Sequence, residues 1–287
     1  MNRLAFAAVL AASRLALAES PYSLPWQLPS ATIDNTVRVE SAAAAFDDEQ
    51  GNLDIGVTTM VAAIYRLSDH WAPTLRLGFV GNNAPGAALD GTTFGSPVAG
   101  VTYAQRRGDY RLALAWTTTI PVGTGGGDDP DMRAAKSNEA SMTARPADRA
   151  MFEVDYATET ASANVAYVHR GFTAQGEAAL LEGVRVRGDG GAAQTRAAVG
   201  VHLGTFLGSH VSLGGDVRYE RWLTQPMSAD VDTLTVAAGV RLHLRIGTQV
   251  RIHPGLSYTR ALGKRGGAEP LLTDGTNAIQ IDLPVMF

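Results

Sequence analysis

The residues able to do chemistry in this chain are arginines, carboxylates and histidines that recur on one side of an alternating pattern. Arg38, Glu40, Arg76, Arg111, Asp216, Arg218, Glu220, Arg241, His243, Arg251, His253 and Asp282 fall on the parity opposite to the aliphatic residues of their segments. A stripe of guanidinium groups with interspersed carboxylates either fills space as a salt-bridge network or sets an electrostatic field along a passage. Arginine suits both uses, because its planar fork engages two acceptors at once. Catalysis has less to work with. The chain holds no cysteine, which excludes disulfides, thiolate metal sites, a cysteine nucleophile and a lipid-modified N-terminal cysteine. His202, His243 and His253 share the inward parity, but a turn at Gly247-Thr248 is predicted to set His243 opposite Arg251 and His253 opposite Arg241, and neighbouring cations disfavour a metal. The expectation is no catalytic residue, no metal and no cofactor.

The elements that must position this stripe follow from composition and period. Of 287 residues, 18% are charged and 31 are glycine, with a formal net charge of -4 that gives no footprint for nucleic acid. Met1 to Ala18 carries an early positive charge at Arg3, the apolar stretch Leu4 to Ala12 and the small-x-small ending Ala16-Leu17-Ala18, which together predict a secretory signal cleaved after Ala18. No later apolar run approaches the roughly eighteen residues of a membrane-spanning helix. Residues 19–30 contain Pro21, Pro25 and Pro29, which disfavour helix and central strand and predict a periplasmic tether or a small plug.

From residue 31 to 287 strict alternation over about ten residues, broken by Gly, Asp, Asn and Ser clusters, predicts strands. Leu234, Val236, Ala238, Val240, Leu242, Leu244 and Ile246 face one way, and Thr233, Thr235, Arg241, His243 and Arg245 the other. About twelve strands are predicted, near 31–43, 54–67, 71–81, 95–106, 110–121, 161–170, 172–183, 194–205, 210–222, 231–245, 248–260 and 276–287. The connections alternate between tight turns and long loops, the longest running from Gly123 to about Thr160, with Phe152, Val154 and Tyr156 read as a strand extension. An even strand count with short turns on one rim describes an all-β, antiparallel up-and-down transmembrane barrel with both ends in the periplasm. Tyr65, Trp71, Tyr103, Tyr110, Tyr167 and Phe172 lie on the apolar parity beside the short turns, as a ring at one membrane interface would. A soluble β-sandwich would not need that ring.

The closing run Ile279-x-Ile281-x-Leu283-x-Val285-x-Phe287 resembles the last strand of bacterial outer-membrane β-barrels, whose terminal aromatic is read by the barrel-assembly machinery. That resemblance implies Phe287 as an assembly signal and outer-membrane lipid as the surroundings. Ser23-Leu24-Pro25-Trp26-Gln27-Leu28 and Ile120-Pro121-x-Gly123 resemble small outer-membrane transport proteins of the phenol-degradation-cluster type, and carry over no binding residue. His210-x-Ser212 is similar in residue type to outer-membrane phospholipase A, a twelve-stranded barrel that uses a serine and a histidine. Here, however, Ser212 falls on the inward parity beside a short turn, with no Asn or Asp in sequence to orient the pair.

Within such a barrel the middle strands present small inward residues, including Gly56, Thr58, Ala62, Gly78, Gly100, Ala113 and Ala115, while the last four strands and the first carry the charges. A smooth wall opposite a charged wall predicts a narrow eccentric passage. The functional expectation is a passive channel for small polar or anionic solutes with an arginine-rich lumen. The alternative is a sealed barrel that anchors an envelope-spanning or surface assembly, with residues 19–30 and the loop 123–160 as contact surfaces for envelope-complex proteins. Clustered Asp128, Asp129 and Asp131 invite calcium but lack the alternating ligands of an EF-hand.

Overall fold

The structure, a computed structural model, describes residues 21–47, 53–83, 91–189, 191–224, 232–262 and 277–287. The signal segment 1–18 and Lys264 lie outside them. The strands are β1 (Thr36–Asp47), β2 (Leu53–Ile64), β3 (Trp71–Asn83), β4 (Gly91–Phe94), β5 (Val98–Arg107), β6 (Tyr110–Thr119), β7 (Tyr156–His169) and β8 (Phe172–Arg185). They continue with β9 (Gln194–Leu207), β10 (Val211–Trp222), β11 (Thr233–Leu242), β12 (Leu244–Ile246), β13 (Val250–Ile252), β14 (Gly255–Ala261) and β15 (Asn277–Met286). Every pairing is antiparallel, and β1 pairs with β15, so the sheet closes.

The fifteen segments make twelve staves. β4 continues β5 past a bulge at Gly95–Pro97: between the Phe79–Phe94 and Arg76–Val98 pairs, β3 advances one residue fewer than its partner. β12 and β13 extend β11 and β14 beyond a break at His243 and at His253-Pro254, where proline removes a ladder donor. Their register corrects the sequence reading of this hairpin. Arg245 lies opposite Arg251 and Arg241 opposite Gly255, which sets His243 against His253, because the turn spans more than Gly247-Thr248.

Closure in lipid inverts the usual burial rule. Ile281, Val201 and Leu203 point outward and are more than half exposed, whereas Asp282, His202 and Thr58 point inward with no exposed surface. A soluble sandwich would bury the first set. Closure also satisfies every interstrand donor without leaving an edge in hydrocarbon. The predicted interface ring is present, with Trp71 edge-on to Tyr103 at 5.1 Å and Tyr110 against Tyr167 at 5.3 Å. At the other rim Phe79 meets Phe94 at 5.3 Å, and Trp116 Nε1 donates to Glu159 at 2.6 Å.

Of the strand extension read from alternation in the long connection between β6 and β7, Tyr156 is strand and Phe152 and Val154 are not. The connection folds as α1 (Met132–Ala144), a 3-10 turn (Pro146–Asp148) and a short α2 (Arg149–Phe152), with β7 starting only at Tyr156. Asp131 caps α1 by accepting from Arg133 N at 2.9 Å. Asp128 is likewise engaged by a backbone donor, Asp189 N at 2.5 Å.

Candidate functional site: a lumen closed from both ends

Two segments enter the lumen from opposite rims. The first is residues 22–35, which include most of the proline-rich segment 19–30 and lie inside the barrel against its wall. With no helix or strand of its own it must find partners for its backbone on the wall. Trp26 N and Gln27 N both donate to Asp216 Oδ2 at 2.7 Å, and Ser23 N donates to Thr173 Oγ1 at 3.0 Å. Its carbonyls are served by Arg241 at Leu24 O (2.7 Å), Arg38 at Pro25 O (3.3 Å) and Gln175 at Pro29 O (2.8 Å). The second oxygen of Asp216 contacts His202 Nδ1 at 2.5 Å.

Glycines on the wall make room for this segment. A Cβ at Gly255 would stand 2.6 Å from the Trp26 ring, and one at Gly200 3.0 Å from Leu28. The Arg241 guanidinium lies 4.1 Å from the Trp26 ring centroid, and that of Arg111 5.0 Å from the Tyr22 ring. Burial pushes the Tyr22 phenol up to about 12, so it stays a neutral donor and acceptor between Gln175 and Ala31 N.

The second segment is the β6–β7 connection, which folds inward from the long-loop rim. Met151 and Phe152 form an apolar knob against Met60, Val80 and Val98, seated at Gly78 and Gly95. The small wall read from the sequence as a passage is thus the seat of this knob. Charges hold the rest: Arg145 pairs with Glu40 and with Asp148 (2.7 Å), Arg76 with Asp148 (2.7 Å), and Arg196 with Glu153 (2.6 Å). Burial alone would raise the Asp148 and Glu153 carboxyls, but the facing arginines outweigh it and hold both below their ordinary range.

Most of the predicted charged stripe forms ion-paired clusters around these plugs. Arg38 straps Asp282 (2.8 Å) and Glu40 (2.5 Å), and Arg241 shares Asp282. Arg218 and Arg196 share Glu220 at 2.9 and 3.2 Å. His243 meets Ser212 at 2.8 Å, and its ring lies beside that of His253, tilted by 56° with centroids 4.5 Å apart. Among the described residues no carboxylate hydrogen-bonds His243, so this pair lacks the orienting group of a serine–histidine catalyst. Arg251 departs from the lumen assignment: it has the inward parity but sits on the hairpin past the barrel end and is exposed. Phe287 follows β15, its amide donating to Asn35 O at 3.1 Å and its side chain exposed.

Sequence reasoning missed Arg145, Asp148 and Glu153, all on the inward-folded loop. A signal was present in the run Arg145-Pro146-Ala147-Asp148-Arg149, whose dense charge beside Met151-Phe152 fits a docked loop better than a solvated one. Between the plugs remains a partly open cavity of about 210 Å³. Arg38, Arg76, Arg145 and Arg218 line it with Glu40, Asp148 and Glu177, and Leu24, Trp26, Met60 and Leu181 supply apolar surface.

The chain matches no protein-family model and no curated protein sequence. Among solved structures it is similar to an outer membrane channel from Pseudomonas putida F1, with a TM-score of 0.55, 11% identity, and coverage of 93% of this chain and 100% of that one. It is also similar to the NanC porin, with a TM-score of 0.54, 7% identity, and coverage of 88% and 98%. Both likenesses span nearly the full length of each chain, and the fold is that of the bacterial outer-membrane β-barrels.

Proposed function

We propose that this chain is an outer-membrane channel for small polar or anionic solutes, closed at rest by its own N-terminal segment and its β6–β7 loop. The observation that carries the reading is the partly open cavity between those two segments, lined by charged and apolar groups. A barrel needing only rigidity would pack that space. The likeness to an outer membrane channel and a porin supports the same reading. Export through the signal segment 1–18, insertion guided by Phe287 and residence among outer-membrane lipids complete the proposal.

The arginines set a weaker selectivity field than their number implies, because Arg38, Arg218 and Arg241 each face a carboxylate at hydrogen-bonding range. Substituting Arg241 and Arg251 would therefore report on plug anchoring and on the rim rather than on permeation. The test is single-channel current from the refolded mature protein beside a variant lacking residues 21–30. Small, intermittent conductance that becomes larger and steadier in the deletion supports a plugged channel. A lumen occupied from both ends also suits a structural anchor for envelope-complex proteins. Absence of current from both proteins, each shown to be folded by heat-modifiable migration, selects that reading.

A further inference from the structure

The short turns on one rim of the barrel carry more arginine than the fold requires. Arg66 lies between β2 and β3, Arg106 and Arg107 end β5, and Arg170 sits between β7 and β8. The same turns hold two aspartates, and both are engaged, Asp69 by Arg66 and Asp109 by His169 at 2.8 Å. Arg107 and Arg170 are exposed, and among the described residues no carboxylate comes within ion-pair range of either. Their surroundings are aromatic. Arg107 pairs across its hairpin with Tyr110, Tyr110 pairs with Tyr167 on the next strand, and Arg170 falls between Tyr167 and Phe172. Tyr110 and Phe172 are exposed on the outward face, and such rings mark the membrane interface, so the two arginines stand just beyond it, at the level of lipid headgroups.

The backbone at Arg170 is an independent observation. Arg170 (φ 49°) and Gly171 (φ 84°) are the central residues of a two-residue hairpin whose flanks His169 and Phe172 pair. Such a turn needs a left-handed conformation at both positions, which Asn-Gly adopts most readily. At the other tight turns the left-handed residue is a glycine, at Gly108, Gly208 and Gly247, and Arg170 is the one residue other than glycine with a positive φ among the described residues. An arginine held where asparagine would sit more easily points to a use for its charge.

We infer that this sector of the short-turn rim is a docking surface for anionic phospholipid headgroups. The guanidinium forks of Arg107 and Arg170 donate to phosphate oxygens, a geometry in which arginine binds two oxygens at once. Charge selects the lipid: a headgroup with net negative charge is attracted by both cations, whereas a zwitterionic one brings an ammonium of its own. A soluble acidic protein segment would meet the same cations, but the outward rings beside them place the arginines at a bilayer surface. A barrel with both ends in the periplasm turns this rim toward the phospholipid leaflet. The inference goes beyond the channel reading and does not rest on it, since a sealed barrel would meet the same lipid.

The experiment follows tryptophan fluorescence of the full mature chain refolded in phosphatidylcholine vesicles that contain rising fractions of brominated phosphatidylglycerol or brominated phosphatidylcholine. The parent protein carries Trp71→Phe, Trp116→Phe and Tyr110→Trp, which sets one outward indole between the two arginines; Trp26 is buried in the lumen, and Trp222 packs against Arg149 and Arg196. Half-quenching is expected at an about fivefold lower fraction of the anionic lipid, and the preference should shrink in about 0.5 M sodium chloride. Arg107→Gln with Arg170→Asn is expected to bring the ratio near one. Arg170→Asn alone should melt no lower than the parent in phosphatidylcholine, because asparagine accepts the left-handed turn more readily, so its lost preference is not a lost fold. Heat-modifiable migration confirms that each barrel is intact. Equal quenching by the two lipids overturns the docking surface and turns attention to an acidic protein segment. A preference that survives the double variant overturns its assignment to these arginines. A lower melting temperature of Arg170→Asn in phosphatidylcholine would show that the arginine is kept for the turn and not for its charge, which overturns its role.

Discussion

The two plugs solve one problem by different means. Residues 22–35 enter as irregular chain, so the wall must provide hydrogen-bond partners for their peptide groups, which Asp216, Thr173, Arg241, Arg38 and Gln175 do. The β6–β7 loop enters largely as helix and brings many of its own peptide hydrogen bonds, so the wall meets it mainly through ion pairs and an apolar knob, with a few backbone bonds such as Ser96 N to Met151 O at 2.8 Å. The lesson is that the structure of an inserted segment decides which chemistry its seat must carry. One seat is made mostly of backbone-reading polar groups, the other mostly of charges and aliphatic residues, and both use wall glycines at the closest approach.

That division makes predictions of decreasing size. Asp216→Ala removes the acceptor of two plug amides and the partner of His202 in a sealed interior, and is expected to cost about 3–5 kcal/mol of docking. Limited proteolysis should then cut within residues 22–35 while the barrel keeps its heat-modifiable migration. Gly255→Ala places a methyl group into the Trp26 ring and is expected to cost about 1–3 kcal/mol. Trp26→Leu in the same chain should recover part of that loss, measured by thermal unfolding of the four variants in the cycle. Glu40→Gln weakens the Arg145 contact but leaves Asp148 in place, for about 1–2 kcal/mol, and should loosen the loop without releasing the N-terminal segment. Were proteolysis of this variant to release both segments equally, the distinction between the two seats would fail.

The smallest effect expected is that of mild acid. Asp148 and Glu153 have folded-state values below their ordinary 3.8 and 4.5, so their contribution is fully present above those ordinary values and is lost as pH falls through the lower folded ones. Loop docking should therefore be unchanged between pH 7 and about pH 5 and weaken only below about pH 4. Protease sensitivity of residues 120–155 across that range checks the sign. Release near neutral pH would show that groups other than these carboxylates hold the loop.

The staves were legible in sequence because alternation is local: each residue of β10 or β15 announces its side by its neighbours. The plugs were only half legible. Pro21, Pro25 and Pro29 pointed to a segment that is neither strand nor helix, a tether or a plug, but did not say which, and the burial of Leu24, Trp26 and Leu28 depends on wall residues distant in sequence. The inward fold of the β6–β7 loop depends on Gly78, Gly95 and Glu40, residues distant in sequence from Met151 and Arg145, and no local pattern records that match. Alternation misled at Phe152 and Val154, where period two arises inside a compact loop just before β7 begins at Tyr156. At Gly247 a register wrong by two residues kept every side chain on its side while exchanging its partner, which is why parity survived and the His243–His253 pair went unseen.

The seam between β1 and β15 carries a consequence for assembly. Glu40 and Asp282 stand directly opposite each other across it, two carboxylates made tolerable by the Arg38 fork that straps both. The first and last staves of the barrel bring these groups together only when the cylinder closes, so closure and charge pairing are a single event. Lipid cannot police this junction, since a slip of two residues leaves every greasy side chain facing outward. Such a slip displaces Asp282 from Glu40 by about 7 Å along the strand and takes it out of the strap. The inward ions thus proofread a register to which the membrane itself is blind.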